Sequence, residues 1–158
     1  MIIDNKKRIY KIRVQEFLLA VITAIVASIA GVSVWFYPDF LGIPRSYYVI
    51  TLVTLYVIYF LYHLYINITY IYFTDSGDKI ILRYFSNRPF SPGKNSIEIN
   101  KKLFAGYVVQ KDFFGLKQDL ILYQKMKNTK AKYPAVSISV LTGPEKEKLL
   151  NTLDKYQN

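Results

Sequence analysis

The chain has 158 residues, with 21 Lys and Arg against 11 Asp and Glu, a formal net charge of +10, and 52% of its residues are hydrophobic. This length fits one compact domain, or a small domain with an appendage. So high an apolar content excludes a disordered basic tail. Because the chain has no cysteine, disulfides, thiolate nucleophiles and Cys-ligated metal sites are excluded.

The first part of the chain is predicted to form a helical membrane hairpin. Residues 1–16 form a basic N-terminal segment, and the hairpin follows at 17–67, with transmembrane helices at 17–37 and 46–67 that carry no Asp, Glu, Lys or Arg. Each helix is long enough to cross a hydrocarbon core of about 30 Å. Buried helices of a soluble protein and, for the first helix, a cleaved signal peptide are the alternatives, but two such long runs favour the hairpin.

The distribution of basic residues predicts how the hairpin is oriented. Only Arg45, offset by Asp39, lies in the connector between the two helices. Five basic residues precede the first helix: Lys6, Lys7, Arg8, Lys11 and Arg13. Because positive charges flank the cytoplasmic side of membrane helices, both termini are predicted to be cytoplasmic.

Two surfaces in the helices are candidates for helix packing. Small side chains recur along one stripe of the first helix and permit close approach of another helix, either the second helix or a further subunit; they are Ala20, Ala24, Ala27 and Gly31. In the second helix, Tyr56 and Tyr59 lie deep enough to hydrogen-bond to another helix. His63, the one histidine, is interpreted as a neutral interfacial residue, with a proton or metal role as the alternative.

Residues 68–158 are predicted to form a cytoplasmic domain of six or seven short antiparallel strands and a terminal helix. Alternating apolar and polar residues indicate strands, and they occur at 68–74, 79–86, 97–99, 104–112, 119–126 and 133–140. Thr142 and Glu145 have the spacing of a helix capping box. The expected fold is α+β or mainly β, a bent sheet or open barrel with the helix at one end.

The segments YIYFTDSGDKIILRYF and YVVQKDFFGLKQDLILY, with an IEI strand between them and two membrane helices before them, carry a family resemblance. The chain resembles small bacterial membrane proteins that have a pleckstrin-homology-like (PH-like) domain. The resemblance implies a PH-like fold, a place in the bacterial inner (cytoplasmic) membrane and a scaffold or adaptor role. It implies no catalytic residues.

The motifs of common enzyme classes do not occur in the sequence. There is no GxxxxGK[ST] or GxGxxG phosphate loop, no HExxH motif and no cluster of carboxylates at metal-ligand spacing. The sequence therefore predicts no enzyme, no metal, no cofactor and no small-molecule substrate. An enzyme acting on lipid or envelope precursors is the least favoured alternative.

The basic excess of the cytoplasmic domain is the stronger signal for a partner. Residues 68–158 hold 15 Lys and Arg against 8 Asp and Glu, a net charge of +7. Six of the lysines are candidate contacts to an anionic partner: Lys101, Lys102, Lys125, Lys127, Lys130 and Lys132. Nucleic acid is not favoured, because aromatic residues are not interleaved with these lysines. Contact with an anionic inner leaflet and simple solubilisation explain them equally well.

The sequence therefore predicts a non-enzymatic accessory or scaffolding subunit of the inner membrane. Its expected partners are other membrane protein subunits or a second copy of itself, together with the lipids of the anionic leaflet. The alternative is a sensor or tether that binds anionic lipid headgroups through the basic PH-like domain.

Overall fold

The computed structural model describes residues 1–32, 42, 44–86, 93–112, 114–127 and 129–157. Three helices lie within them, α1 (Lys6–Val32), α2 (Arg45–Ile66) and α3 (Gly143–Asp154). The strands are β1 (Ile2–Asp4), β2 (Thr69–Thr74), β3 (Lys79–Ser86), β4 (Asn95–Asn100), β5 (Phe104–Asp112), β6 (Lys117–Lys125), β7 (Lys130–Lys132) and β8 (Val136–Ser137). The chain divides into two compact units, a sheet domain of Met1–Ile9 with Leu64–Asn158 and a helical unit of Tyr10–His63.

The helical unit consists of most of α1 and α2, both long and apolar enough to span a membrane. Large apolar side chains point outward from them, as at Phe17, which is 68% exposed, and Leu55, which is 60% exposed. Helix α1 begins earlier than the predicted span, so the basic residues from Lys6 onward belong to the helix. Residues 33–37 of the predicted first span lie outside the described residues.

On each long helix, the less exposed side chains form one stripe, in which they recur about every 3.5 residues. This spacing is typical of two helices that pack side by side at a small angle. In α1 the stripe consists of Ile12, Glu16, Ala20, Thr23, Ala27 and Ala30, and in α2 it includes Leu52, Tyr56, Tyr59 and His63.

The first sheet has the order β1-β2-β3-β4 and is antiparallel throughout. Strands β2, β3 and β4 follow the alternating pattern of the sequence, with Ile71, Leu82 and Ile99 fully buried. Strand β1 was not predicted. It pairs with β2 in the register Ile3↔Phe73, so the sheet domain joins residues from both sides of the hairpin and includes Met1–Ile9 in addition to the predicted 68–158.

Asn5 lies between β1 and α1 and makes hydrogen bonds to both β2 and the first turn of the helix. Its side chain is 2% exposed, accepts a hydrogen bond from the Ile71 N–H (2.8 Å) and donates one to the Thr69 carbonyl (3.1 Å). Its own carbonyl accepts the Ile9 N–H at 3.0 Å. One buried amide therefore continues the pairing with β2 while its backbone starts the helix.

The second sheet consists of β5, β6 and β7 in that order, with β8 also paired to β6. The predicted strand 133–140 is reduced to Val136–Ser137. Helix α3 has the predicted capping box, in which the Glu145 carboxylate accepts the Thr142 N–H at 2.8 Å. Both sheets and α3 contribute to one buried core that includes Phe73, Leu82, Phe104, Leu122, Ile138, Leu149 and Leu153.

Antiparallel sheets, two long apolar helices and a C-terminal helix thus agree with the predicted fold class at the level of architecture.

Candidate functional site

A cavity of about 620 Å³ opens on the first sheet. Its described lining residues all belong to the sheet domain. It is lined by Asp4, Lys6, Tyr70, Tyr72, Arg83, Tyr84, Phe85, Lys94, Asn95 and Ser96. Along β2 and β3 the lining residues alternate with core residues such as Ile71 and Leu82, so most of the cavity lies on the sheet face that the core does not use.

Strand register brings the centre of the cavity together. Asp4 of β1 lies opposite Tyr72 of β2, Tyr72 lies opposite Arg83 of β3, and Arg83 lies opposite Ser96 of β4. Directly opposite residues in antiparallel strands have Cβ atoms about 4.5–5.5 Å apart. Four strands thus place an acid, a phenol, a guanidinium and a hydroxyl in one row across the sheet.

Two aromatic rings form a flat wall beside this row. Tyr70 and Phe85 are also cross-strand partners, and their rings stack with centroids 4.7 Å apart at an interplanar angle of 27°. Both side chains are only partly buried, so the rings remain accessible from the cavity. Such a wall can pack against the apolar or ring portion of a ligand.

The charges in the cavity are mostly positive. Lys6, Arg83 and Lys94 are exposed cations, and within the described part of the chain they make no ion pair and share the lining with one carboxylate, Asp4. The Asp4 carboxylate accepts the Lys6 backbone N–H at 2.8 Å. Burial, then the negative charge of the neighbouring Asp4 carboxylate, raises the pKa of Tyr70, so this phenol stays neutral.

The basic residues that precede the predicted first span have different surroundings in the structure. Lys6 lines the cavity, whereas Lys7, Lys11 and Arg13 are exposed on α1. Arg8 turns towards α3, where its guanidinium donates to the Glu145 carboxylate at 2.7 Å and to the Val140 carbonyl at 2.9 Å. Arg8 therefore has a structural partner within the sheet domain.

The six lysines predicted to face an anionic partner fall into two groups. Lys101 donates to the Asp75 carbonyl at 2.7 Å and lies 4.8 Å from the centre of the Tyr156 ring, while Lys102 is exposed in the same short 3₁₀ turn. The other four are all exposed on the hairpin of β6 and β7, which we call the lysine hairpin: Lys125, Lys127, Lys130 and Lys132.

Two members of the lysine hairpin face each other. Lys125 and Lys130 are direct cross-strand partners, an arrangement in which like charges repel. Met126, next to them in the chain, is 59% exposed. An anionic surface would relieve the repulsion and accept the apolar side chain.

The predicted helix-packing residues divide between two faces of the hairpin. Ala20 and Ala27 lie on the less exposed stripe of α1, and Tyr56 and Tyr59 lie on that of α2. Ala24 and Gly31 are exposed, and among the described residues a Cβ added at Gly31 would meet no atom within 4 Å apart from its own helix backbone and chain neighbours. The second pair therefore leaves room for a further helix.

Glu16 and His63 form a polar pair within the helical unit. The His63 Nδ1 and Glu16 Oε1 atoms are 2.7 Å apart, and the Tyr59 and Tyr62 rings lie 4.3 and 5.8 Å from the imidazole. This pair is not predicted from the sequence, because Glu16 falls in the predicted N-terminal segment 1–16, outside the predicted span that contains His63. Counting along an antiparallel hairpin would have placed Glu16 and His63 near the same level.

The cavity itself was also missed. Its lining residues come from four separate stretches of sequence, and Lys6 and Arg83 join Tyr72 in one cavity only through the pairing of β1, β2 and β3. The available signal was the row of tyrosines and basic residues at alternate positions of β2 and β3.

Comparison with known proteins gives no relative. No protein-family model, no curated protein and no solved structure matches the chain.

Proposed function

We propose that the chain is a non-enzymatic accessory or scaffolding protein of the bacterial inner membrane. The α1–α2 hairpin anchors it with both termini in the cytoplasm, and the sheet domain, as a PH-like module, takes part in a larger membrane assembly. The pairing of β1 with β2 carries this proposal. Because one strand precedes the hairpin and its neighbour follows it, the anchor is an insertion within the domain.

The connections between the two long helices and the strands of the sheet domain are short, which also supports an anchor inserted within the domain. Ile66 ends α2 and Thr69 begins β2, while Asp4 ends β1 and Lys6 begins α1. The carbonyl of Ile66 accepts the Ser137 hydroxyl at 3.0 Å, and Asn67 is held by the Ser86 hydroxyl. A module joined in this way is connected to the membrane helices through short segments at both ends of the hairpin, which supports a role beside other membrane subunits.

The exposed small residues Ala24 and Gly31 provide a surface for such a subunit within the membrane. The test is purification of the full chain in mild detergent, with identification of the proteins that accompany it. Wild type and a Val26→Leu control, which changes an exposed apolar residue of the same helix, are expected to retain the same membrane partner or a second copy. Ala24→Leu/Gly31→Leu is expected to lose it. A wild-type chain that migrates as a solitary monomer would contradict the proposal.

The lysine hairpin favours a second candidate function, a tether that contacts anionic lipid. Lysines near an anionic leaflet contribute about 1 kcal/mol each. Since the chain has no cysteine, a single Met126→Cys substitution can carry an environment-sensitive fluorophore in nanodiscs.

With anionic lipid, this probe should report an apolar environment that is lost at high salt and in Lys125→Glu/Lys130→Glu. A matched probe at Glu147→Cys, an exposed position on α3, should not respond. Equal signals in anionic and neutral nanodiscs would eliminate the tether.

A further inference from the structure

The cavity on the first sheet carries more positive charge than its own residues neutralise. In the described part of the lining, Lys6, Arg83 and Lys94 face a single carboxylate, Asp4, which leaves a net charge of +2. Among the described residues no ion pair involves any of the three cations. We infer that this cavity binds one phosphate ester per chain, a function separate from the accessory role and from the diffuse charge of the lysine hairpin.

The polar groups of the cavity suit a phosphoryl group. The Arg83 guanidinium presents a planar fork of donors that matches phosphate oxygens, and it lies in the same cross-strand row as the Ser96 hydroxyl. Lys6, the first residue of α1, and Lys94, which directly precedes β4, add two cations to the same lining. Three cations in one lining suit a phosphate ester, whether a diester with one negative charge or a monoester with two.

The aromatic wall suits the organic part of the ester. Tyr70 and Phe85 stack at 4.7 Å and remain partly exposed, and the volume of about 620 Å³ falls within the range of about 300–1,000 Å³ that is usual for small-molecule sites. Inorganic phosphate would leave this wall unused. A phosphate attached to a glycerol or ring-containing group fills both halves of the cavity.

Chain connectivity indicates the source of the ester. Lys6 is the first residue of α1, and Tyr70 follows Ile66, the last residue of α2, by four positions. The lining is therefore connected to both apolar helices, through the basic first turns of α1 at Lys6 and through the short segment between α2 and Tyr70. The headgroup of an anionic phospholipid is the expected ligand, and soluble phosphate esters share the chemistry that the cavity recognises.

Two binding measurements on the full chain in mild detergent test this inference. In the first, native mass spectrometry follows titration with phosphatidylglycerol and, separately, with zwitterionic phosphatidylcholine. In the second, calorimetry follows titration with glycerol 1-phosphate. We expect one saturable phosphatidylglycerol per chain. Binding of phosphatidylglycerol alone identifies a lipid headgroup, whereas glycerol 1-phosphate that binds and displaces the lipid identifies a soluble ester.

Matched variants separate the cavity from general charge. Arg83→Gln/Lys94→Gln removes two cations from the cavity, and Lys125→Gln/Lys130→Gln removes two from the lysine hairpin. Since all four side chains are exposed, both variants should melt like the wild type. The cavity variant should bind at least about tenfold more weakly, because two charge-assisted hydrogen bonds are lost. The lysine-hairpin variant should bind like the wild type.

A further variant keeps the test decisive if the cavity double variant fails to fold. Arg83→Lys retains the charge but removes the fork, so it should weaken binding of the same probe by a smaller factor. No saturable binding of either probe to the wild type would overturn the inference. Equal weakening in the cavity and lysine-hairpin variants would overturn it as well. Neither result affects the co-purification test of the accessory role.

Discussion

Large apolar side chains are buried in the sheet domain but exposed in the helical unit. In the sheet domain Ile71, Leu82 and Leu122 are at most 1% exposed, because two sheets and a helix cover them. In the helical unit Phe17 is 68% exposed and Leu55 60% exposed. The sheet domain therefore supplies its own apolar environment, whereas the helical unit needs one from outside, as a bilayer or neighbouring helices provide.

Each region also has a polar contact that joins two separate segments of the chain. The buried amide of Asn5 is fully used by β2 in the sheet domain. The helical unit has the Glu16–His63 pair on the less exposed stripes of its helices. In both places a polar side chain fixes which segments meet, so substitutions there should show how far each region depends on its specific contacts.

The largest effect is expected from the core of the sheet domain. Leu82→Ala removes a fully buried side chain and should lower the free energy of unfolding by about 3 kcal/mol, since truncation leaves a cavity. The matched substitution Leu55→Ala in α2 should change it little, because that side chain lies on the outside of the hairpin. Thermal unfolding followed by circular dichroism in detergent compares them. Equal losses would show that the two environments are alike.

The second largest loss of stability is expected from a substitution at Asn5. Asn5→Ala leaves the Ile71 N–H and Thr69 carbonyl without their side-chain partner, which should cost about 2 kcal/mol. Hydrogen exchange should show faster exchange in β1 and β2 than in β5 and β6. Asn151→Ala, at an exposed position of α3, is the control. Unchanged protection in β1 would mean that the Asn5 bonds do not hold this strand.

A smaller effect is expected for the polar pair of the helical unit. Glu16→Ala leaves His63 without the carboxylate at 2.7 Å and should destabilise the hairpin by about 1 kcal/mol, a value usual for interhelical hydrogen bonds in membranes. Glu16→Gln keeps an acceptor and should restore most of the loss. The readout is the thermal stability of the full chain in nanodiscs. If Gln and Ala lose equally, hydrogen bonding is not the cause.

The smallest expected effect is a pH-dependent change in stability that arises from Glu145, at the start of α3. Burial disfavours the charged form of Glu145, but hydrogen bonds from Thr142 and Arg8 outweigh it and lower the pKa of the carboxyl. A lowered pKa in the folded state means that the stabilisation is present above the unfolded-state pKa and is lost as the pH falls through the folded-state pKa.

The melting temperature of wild type should therefore exceed that of Glu145→Gln near neutral pH, and the two should converge between about pH 5 and about pH 3. Glu147→Gln, at an exposed position of the same helix, should follow the wild type throughout. A constant difference between wild type and Glu145→Gln across this range would show that ionisation of Glu145 contributes nothing.

The elements that the sequence predicted well are those with their own periodic pattern. Strands β3 and β5 match the expected segments, and the capping box of α3 forms as expected. Strand β1 has three residues, too few for a pattern, and its partner β2 lies beyond both long helices. The predicted strand at 133–140 is shortened to Val136–Ser137, consistent with Pro134, which has no N–H to donate to a neighbouring strand.

The candidate sites were harder to predict because they depend on pairing between distant segments. Lys6 was assigned to membrane topology from its place before a helix, yet it lines a cavity with Arg83 and Tyr70. Nothing local at any of these residues specifies that neighbourhood, since it follows from the register of β1, β2 and β3. The Glu16–His63 pair likewise depends on how α1 meets α2.

The central proposal, a hairpin inserted in the membrane with the sheet domain on the cytoplasmic side, is tested most directly by labelling single cysteines in the cysteine-free chain. Ser46→Cys, at the start of α2, and Glu147→Cys, on α3, are both at exposed positions. With a membrane-impermeant maleimide on spheroplasts, Ser46→Cys should react in intact samples and Glu147→Cys only after lysis. Reaction of both in intact samples, or of Glu147→Cys alone, would contradict the account.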